Sequence, residues 1–392
     1  MPPAQEQELQ TSKRLDFWSK YTRNEAGWSL SQAGHCAKWG HSLIVLTRRQ
    51  IHETTPSRYF THSKGQLMEK PSPLIAFLFP GQGSQVAGMG KELVATYPMA
   101  RQVFEEADEA LGYKLSELCF EGPEDKLRLT EITQPAVLTV SVAAYRVLES
   151  LGTLPNFVAG HSLGEYSAHV AAGTLAFADA VRTVRNRGKY MQEAVPVGEG
   201  AMAAILSLPV DQVEAVCQEA AQGSVCQPAN INSPDQIVIA GAKPAVERAA
   251  ELCKQKGAKR AIMLPVSAPF HCLMLQPAQD RLAQDLRQLH ANAPRVPVVC
   301  NVDAAMVTTA EQSIDALIRQ VTGAVQWERS VRKLVEAGVE LFVELGPGKV
   351  LTGLMRQIDR SKTTMNVEDE SSLEKLKKHL QPSLSSTPAT AG

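Results

Sequence analysis

Nowhere in the 392 residues does an apolar run approach the roughly 20 residues that a membrane-crossing helix requires. That absence points to a chain working outside the bilayer. An excess of one charge is missing too. Forty Lys/Arg stand against 41 Asp/Glu for a formal net charge of −1, so there is no whole-chain basic surplus to hold nucleic acid. Cysteine is sparse and badly spaced for structural use. The seven, at 36, 119, 217, 226, 253, 272 and 300, are odd in number and contain no C-x-x-C pair. This speaks against a disulfide framework and a zinc site, and for a reducing compartment. What is present is ordinary globular composition, 44% hydrophobic and 21% charged, which excludes wholesale disorder and coiled coil. At roughly 150 residues per domain the length suggests two units plus tails.

The first seventy residues differ from the rest. They hold ten Lys/Arg against six Asp/Glu and four of the nine histidines, and their only compact apolar run is Leu43-Ile44-Val45-Leu46. A mitochondrial transit peptide is disfavoured by Glu6, Glu8, Asp16 and Glu25, and the short run cannot serve as a secretory core. The preferred reading is a poorly structured extension over 1–70, with the natural start at Met68. At the other end, residues 361–392 are expected to form a mobile tail carrying a short helix over 374–380, because Ser, Thr and Pro dominate its end.

Between these ends strand and helix alternate. Leu74–Phe79 is a continuous apolar run, as a buried parallel strand requires. A helical stretch through Leu111 follows, then a helix over 135–151, a strand at Phe157-Val158-Ala159, and late strands at 296–300 and 341–344. Residues 201–206, 210–221, 225–232, 236–240, 244–256 and 260–266 read as β-α-β-β-α-β, the ferredoxin-like order. The prediction is an α/β fold: an α/β-hydrolase-like parallel-sheet domain over 71–197 and 267–360, interrupted by a ferredoxin-like (βαββαβ) subdomain over 198–266. Clefts between such units commonly hold the ligand.

The chemistry concentrates at Gly160-His161-Ser162-Leu163-Gly164. A strand runs into this G-x-S-x-G sequence and a helix leaves it, which is a nucleophile elbow holding Ser162 exposed on a tight turn. The helix N-terminus behind it favours negative charge at the reacting centre. A serine needs a base. With four histidines in the extension and His379 in the tail, 161, 169, 271 and 290 remain. His161 is inside the elbow, His169 is two turns along the next helix, and His290 lies in a polar helix end. His271 follows the subdomain's last strand on a proline-braced segment (Pro265–His271), a cleft position, and is the preferred base. Arg187 shares one helical face with Ala180, Val184 and Met191. Buried there, it needs a carboxylate partner, supplied either by the protein or by a substrate. Gly81–Val86 lacks the third glycine of a dinucleotide loop, and Gly88–Glu92 lacks the spacing and hydroxyl of a phosphate-binding loop.

Five segments taken in order resemble the malonyl-CoA:acyl-carrier-protein transacylases: Phe79–Gln85, Gly160–Glu165, Arg187-Gly188-Lys189, Asn230–Pro234 and Gly346–Leu351. The likeness covers about 72–360. It implies Ser162 as nucleophile and His271 as base, the latter oriented by a main-chain or amide oxygen near Gln320 rather than by an Asp. It implies the amides of Gln82 and Leu163 as oxyanion hole, and Arg187 as the clamp on the malonate carboxylate. His161, Asn232 and Phe270 are implied as substrate contacts, with Phe270 crowding a methyl branch. Ala324 stands where the family often has proline, which bears on the placement of Gln320.

The implied activity is ping-pong transfer of malonyl from malonyl-CoA to the phosphopantetheine thiol of acyl carrier protein, for fatty acid synthesis. No metal or bound cofactor is called for, and a cytoplasmic monomer with no nucleic-acid or membrane partner is expected. Three rivals are a serine thioesterase or esterase, a trans-acting acyltransferase of polyketide synthesis, and a non-catalytic binder of acyl-CoA or carrier. The hydrolase would need an acid between Ser162 and His271 in the chain and a His-Gly-Gly-Gly loop, which is absent.

Overall fold

The computed structural model describes residues 73–381. The expected extension over 1–70 and the last residues of the expected tail, from 382 on, lie outside the described residues.

In chain order the fold begins with β1 (Leu74–Phe79), α1 (Lys91–Thr96), α2 (Pro98–Leu111), α3 (Leu115–Glu121), α4 (Glu124–Leu127) and α5 (Thr130–Ser150). Next come β2 (Phe157–Gly160), α6 (Gly164–Ala171) and α7 (Phe177–Glu193). The middle section is β3 (Gly200–Leu206), α8 (Val210–Ala221), β4 (Cys226–Ser233), β5 (Gln236–Ala242), α9 (Lys243–Gln255) and β6 (Arg260–Met263). The chain closes with α10 (Gln276–Gln288), β7 (Val298–Val299), β8 (Met306–Val307), α11 (Ala310–Arg319), α12 (Trp327–Glu336), β9 (Val339–Leu345), α13 (Val350–Ile358), β10 (Thr363–Val367) and α14 (Glu370–Leu380).

The large sheet has the order β10-β9-β1-β2-β7-β8. All its neighbours are parallel except the edge pair β7 and β8. On β1, Phe77 and Phe79 join the core on one face while Ala76 and Leu78 join that on the other. A strand covered on both faces has no solvent side, which is why it reads as an unbroken apolar run. β9 carries one buried acid, Glu344. Its carboxylate accepts the Leu351 and Thr352 amides (3.0 and 2.7 Å) in the first turn of α13, where a negative charge suits the helix dipole. The small sheet, β4-β5-β3-β6, is antiparallel throughout and uses the βαββαβ order. Ala203 and Ile205 of β3 face helices α8 and α9, while Met202 and Ala204 face the other way, toward Cys272 and Phe270.

Several boundaries move. The helix expected from 135 begins at Thr130 and carries Pro135 in its second turn. The strand expected over 260–266 stops at Met263, freeing Leu264–Val266 to line a cavity. That expected over 296–300 shrinks to two residues. The largest correction concerns the tail. Residues 363–380 are not a mobile segment: β10 pairs in parallel with β9, and α14 buries Leu373 and Leu376 behind an Asp369–Ser372 capping box. As an edge strand with one neighbour, β10 tolerates Thr363, Thr364 and Asn366, and so lacks the apolar run that marks a central strand. Among the described residues no helix is long and apolar enough to cross a membrane.

Candidate active site

The elbow is built from backbone constraints. Ser162 has φ of 53°, in the left-handed region that a side chain rarely adopts. A Cβ on Gly160 would lie 1.9 Å from the Gly164 carbonyl carbon, and one on Gly164 would lie 2.0 Å from the Phe79 oxygen. Only glycine fits either place. The strain at Ser162 is held by hydrogen bonds. Its N–H donates to Asn301 Oδ1 (2.7 Å), Asn301 Nδ2 donates to the Gly160 carbonyl (2.7 Å), and Gln320 Nε2 donates to the Ser162 carbonyl (2.9 Å).

His271 also sits at positive φ, 60°. Its Nε2 lies 2.6 Å from Ser162 Oγ and its Nδ1 lies 2.9 Å from the main-chain oxygen of Gln320. A carbonyl can only accept, so Nδ1 carries the proton and Nε2 is left bare toward the serine. Burial, followed by the positive field of Arg187, pushes the His271 imidazole down to about 3. It is therefore neutral near pH 7. The Gln320 contact comes from the main chain at the C-terminal end of α11, ahead of the loop that carries Ala324. That loop is tied to β4 by Val325 N–H donating to Ala229 O and Ile231 N–H donating to Val325 O (2.8 and 2.9 Å).

Arg187 is 2% exposed. Its Nη1 donates to Gln134 Oε1 (2.8 Å), and its Nη2 donates to Gln320 Oε1 (2.9 Å) and Ser162 Oγ (3.1 Å). Its Nε has no partner, and no described carboxylate comes within ion-pair distance. Of the two readings of its sequence position, a direct structural ion pair is absent among the described residues. Gly188 lets α7 approach α5 closely, since a Cβ there would meet Thr130 O at 2.6 Å.

A cavity of about 660 Å³ opens onto these groups, lined by Gln82, His161, Ser162, Leu163, Arg187, Phe270 and His271 among others. Neither the Gln82 nor the Leu163 amide donates to any acceptor among the described residues, as two free oxyanion donors would. Asn232 is placed differently from expectation. It stands outside the lining, with its Oδ1 accepting from His161 Nε2 (2.8 Å), while Asn230 faces the cavity. His161 is held further by the Trp327 ring, 5.5 Å between centroids. His169 is fully buried without a partner, and His290 lies at a separate surface depression. No cluster of metal-ligating side chains occurs among the described residues.

Three contributors escaped the sequence reading: Gln134, Asn301 and Glu165. Each had a faint signal. Asn301 directly follows a strand, and the carboxyl ends of parallel strands are where α/β sheets place ligands. Gln134 precedes a long apolar helix stretch, and Glu165 directly follows the glycine that closes the elbow.

An elbow serine, a histidine and a cation meeting over a parallel sheet define an acyl-transferring class of enzyme. Residues 76–390 match the family described as acyl transferase domain. The malonyl CoA-acyl carrier protein transacylase of Escherichia coli (strain K12) is 52% identical over 299 residues, covering 76% of this chain and 97% of that protein. The solved structure of the Coxiella burnetii malonyl CoA-acyl carrier protein transacylase has 45% identity and a TM-score of 0.78, covering 80% of this chain and 100% of that one. A malonyl-transacylase in complex with a type II PKS acyl-carrier protein has 46% identity and a TM-score of 0.76, covering 78% and 99%. The chain belongs to the malonyl CoA-acyl carrier protein transacylase family of acyl transferases.

Proposed function

We propose that this enzyme transfers malonyl from malonyl-CoA to the phosphopantetheine thiol of acyl carrier protein, through an ester on Ser162, supplying extender units for fatty acid synthesis. The observation that carries the choice of acyl group is Arg187. A buried guanidinium without an ion pair, 3.1 Å from the reacting oxygen, suits an acyl chain that ends in a carboxylate. The solved complex of a relative with an acyl-carrier protein supports the choice of acceptor.

In the first half-reaction Ser162 Oγ attacks the thioester carbonyl while His271 Nε2 takes the hydroxyl proton. The Gln82 and Leu163 amides receive the developing oxyanion. The C–S bond breaks, and His271 returns the proton to the departing CoA sulfur. In the second, the carrier thiol gives its proton to His271 and attacks the ester, and Ser162 leaves with that proton restored. A carboxylate against Arg187 cancels part of the positive field that weakens His271, so the malonyl group strengthens the base that acts on it. Residues 198–266 act in this reading as an inserted subdomain roofing the crevice. No step calls for a metal or bound cofactor.

Intact-protein mass after mixing with malonyl-CoA or acetyl-CoA tests this. The expected result is a malonyl adduct on Ser162 and little acetyl adduct. Arg187→Ala should lower malonylation by about 10²-fold, the loss of a charge-assisted bidentate contact, while acetylation is spared. Steady CoA release without an adduct would mark a hydrolase instead.

A further inference from the structure

Glu165 is the buried acid that the transfer chemistry leaves unused. It lies in the first turn of α6 with no exposed surface. Its Oε2 accepts from Gln320 Nε2 (2.8 Å) and from the Asn301 backbone N–H (3.0 Å), and its Oε1 has no partner. The other end of the same amide, Gln320 Oε1, accepts from Arg187 Nη2 (2.9 Å). A single amide therefore stands between cation and carboxylate, carbonyl toward the guanidinium and N–H toward the acid. Turned the other way, it would set N–H against guanidinium and carbonyl against carboxylate.

We propose that Glu165 is the positioning residue of the carboxylate clamp: it fixes the Gln320 amide and supplies Arg187 with a counter-charge through that amide. This rests on the reading that Arg187 receives a substrate carboxylate. A buried arginine with no counter-charge is costly, but an acid paired to it directly would occupy the donors that substrate needs. One intervening amide meets both demands, since each hydrogen bond polarises the next. Glu165 also ties the clamp to the elbow, because the Asn301 it holds by the backbone holds Ser162 and Gly160 by its side chain.

Glu165 is placed to titrate in the working range. Burial lifts its carboxyl to about 7, against the pull of Gln320, the Asn301 amide and Arg187. The charged and titratable groups around it are Arg187 on α7, Tyr166 and His169 on its own helix, Cys300 and Asp303 after β7, and His271. His271 and His169 are held to about 3 and stay neutral across this range. Ionised Glu165 and the malonyl carboxylate then compete for the same positive charge.

The test follows acylation of Ser162 between pH 6 and 8.5, using malonyl-pantetheine and acetyl-pantetheine, which lack the titrating phosphates of CoA. In the wild type the KM for the malonyl thioester should rise with pH, on the order of tenfold, while the acetyl thioester shows no such trend. Glu165→Gln presents a carbonyl to both donors without the charge. Its malonyl KM should be flat with pH and stay at the low-pH value, with kcat little changed. Should that variant not fold, Gln320→Met removes the relay with Glu165 in place and should flatten the same profile. In a soluble double variant, Glu165→Gln should add nothing to Gln320→Met. A Glu165→Gln profile identical to wild type, or equal changes for malonyl and acetyl, would overturn the proposal. Failure of the wild type to form a malonyl adduct would instead overturn the transacylase reading.

Discussion

The two sheets wall one cavity with different chemistry. Every titratable or charged residue lining it, Arg128, His161, Arg187 and His271, comes from chain outside the βαββαβ stretch. That stretch and the loop leaving it contribute Met202, Asn230, Leu264, Pro265, Val266 and Ser267. Sheet type accounts for part of the difference: His161 and Ser162 directly follow β2, whereas Arg187 stands within α7 and His271 on the segment leaving β6. Parallel strands deliver loops and helix N-termini at one end, where polar groups converge, whereas an antiparallel sheet presents a smooth alternating face suited to shaping a space. Chemistry should thus depend on the large sheet and fit on the small one.

The comparison would break if substitutions on the two walls cost the same. On the large-sheet wall, Ser162→Ala should abolish the malonyl adduct and cut transfer by at least about 10³-fold, measured with labelled malonyl-CoA. Gly164→Ala tests the backbone beneath it. With its new Cβ 2.0 Å from the Phe79 oxygen, it should lose several kcal/mol in denaturant unfolding or fail to accumulate as folded protein. Asn301→Ala leaves the Ser162 amide without its acceptor and should cost about 2 kcal/mol in stability together with a fall in kcat. On the small-sheet wall, Met202→Ala should change KM by only a few-fold, since it removes buried contact and no charge. A loss there as large as that from Ser162→Ala would erase the distinction.

The smallest effect is on acid stability. His169 and His271 are both held to about 3, below the ordinary 6.5, by burial first. The unfolded chain takes up protons there sooner than the folded one. The stability from keeping these rings neutral is therefore present above 6.5 and lost as pH falls toward 3, at up to about 1.4 kcal/mol per pH unit for each. Melting temperatures measured from pH 7 to 5 should fall less steeply in His169→Leu than in wild type. Parallel curves would mean that His169 does not stay neutral in the fold.

Legibility in the sequence followed the range of the interaction. The elbow could be read because strand, glycines and helix are contiguous from Phe157 to Ala171, and Arg187 because helical period alone puts it on the face of Ala180 and Val184. The βαββαβ order was visible for the same reason. Contacts joining distant segments were not: Asn301 meets Ser162 across 139 residues, and Gln320 meets Glu165 across 155. No periodicity encodes either. The likeness to a family directed attention to Gln320 and to Asn232, yet strand alternation alone would put Asn230 and Asn232 on one face. What separates them is the irregular β4 register on either side of them and the His161 ring that engages Asn232. β10 was missed because an edge strand with polar side chains looks like a linker until its partner β9 is known.

The most direct measurement is a chase. The protein is loaded with malonyl-CoA, freed of excess, and mixed with phosphopantetheinylated acyl carrier protein while intact masses of both are followed. The account predicts that the malonyl mass leaves Ser162 and reappears in equal amount on the carrier, with little free malonate. Loss of the adduct at one rate with or without carrier, and malonate in solution, would contradict it.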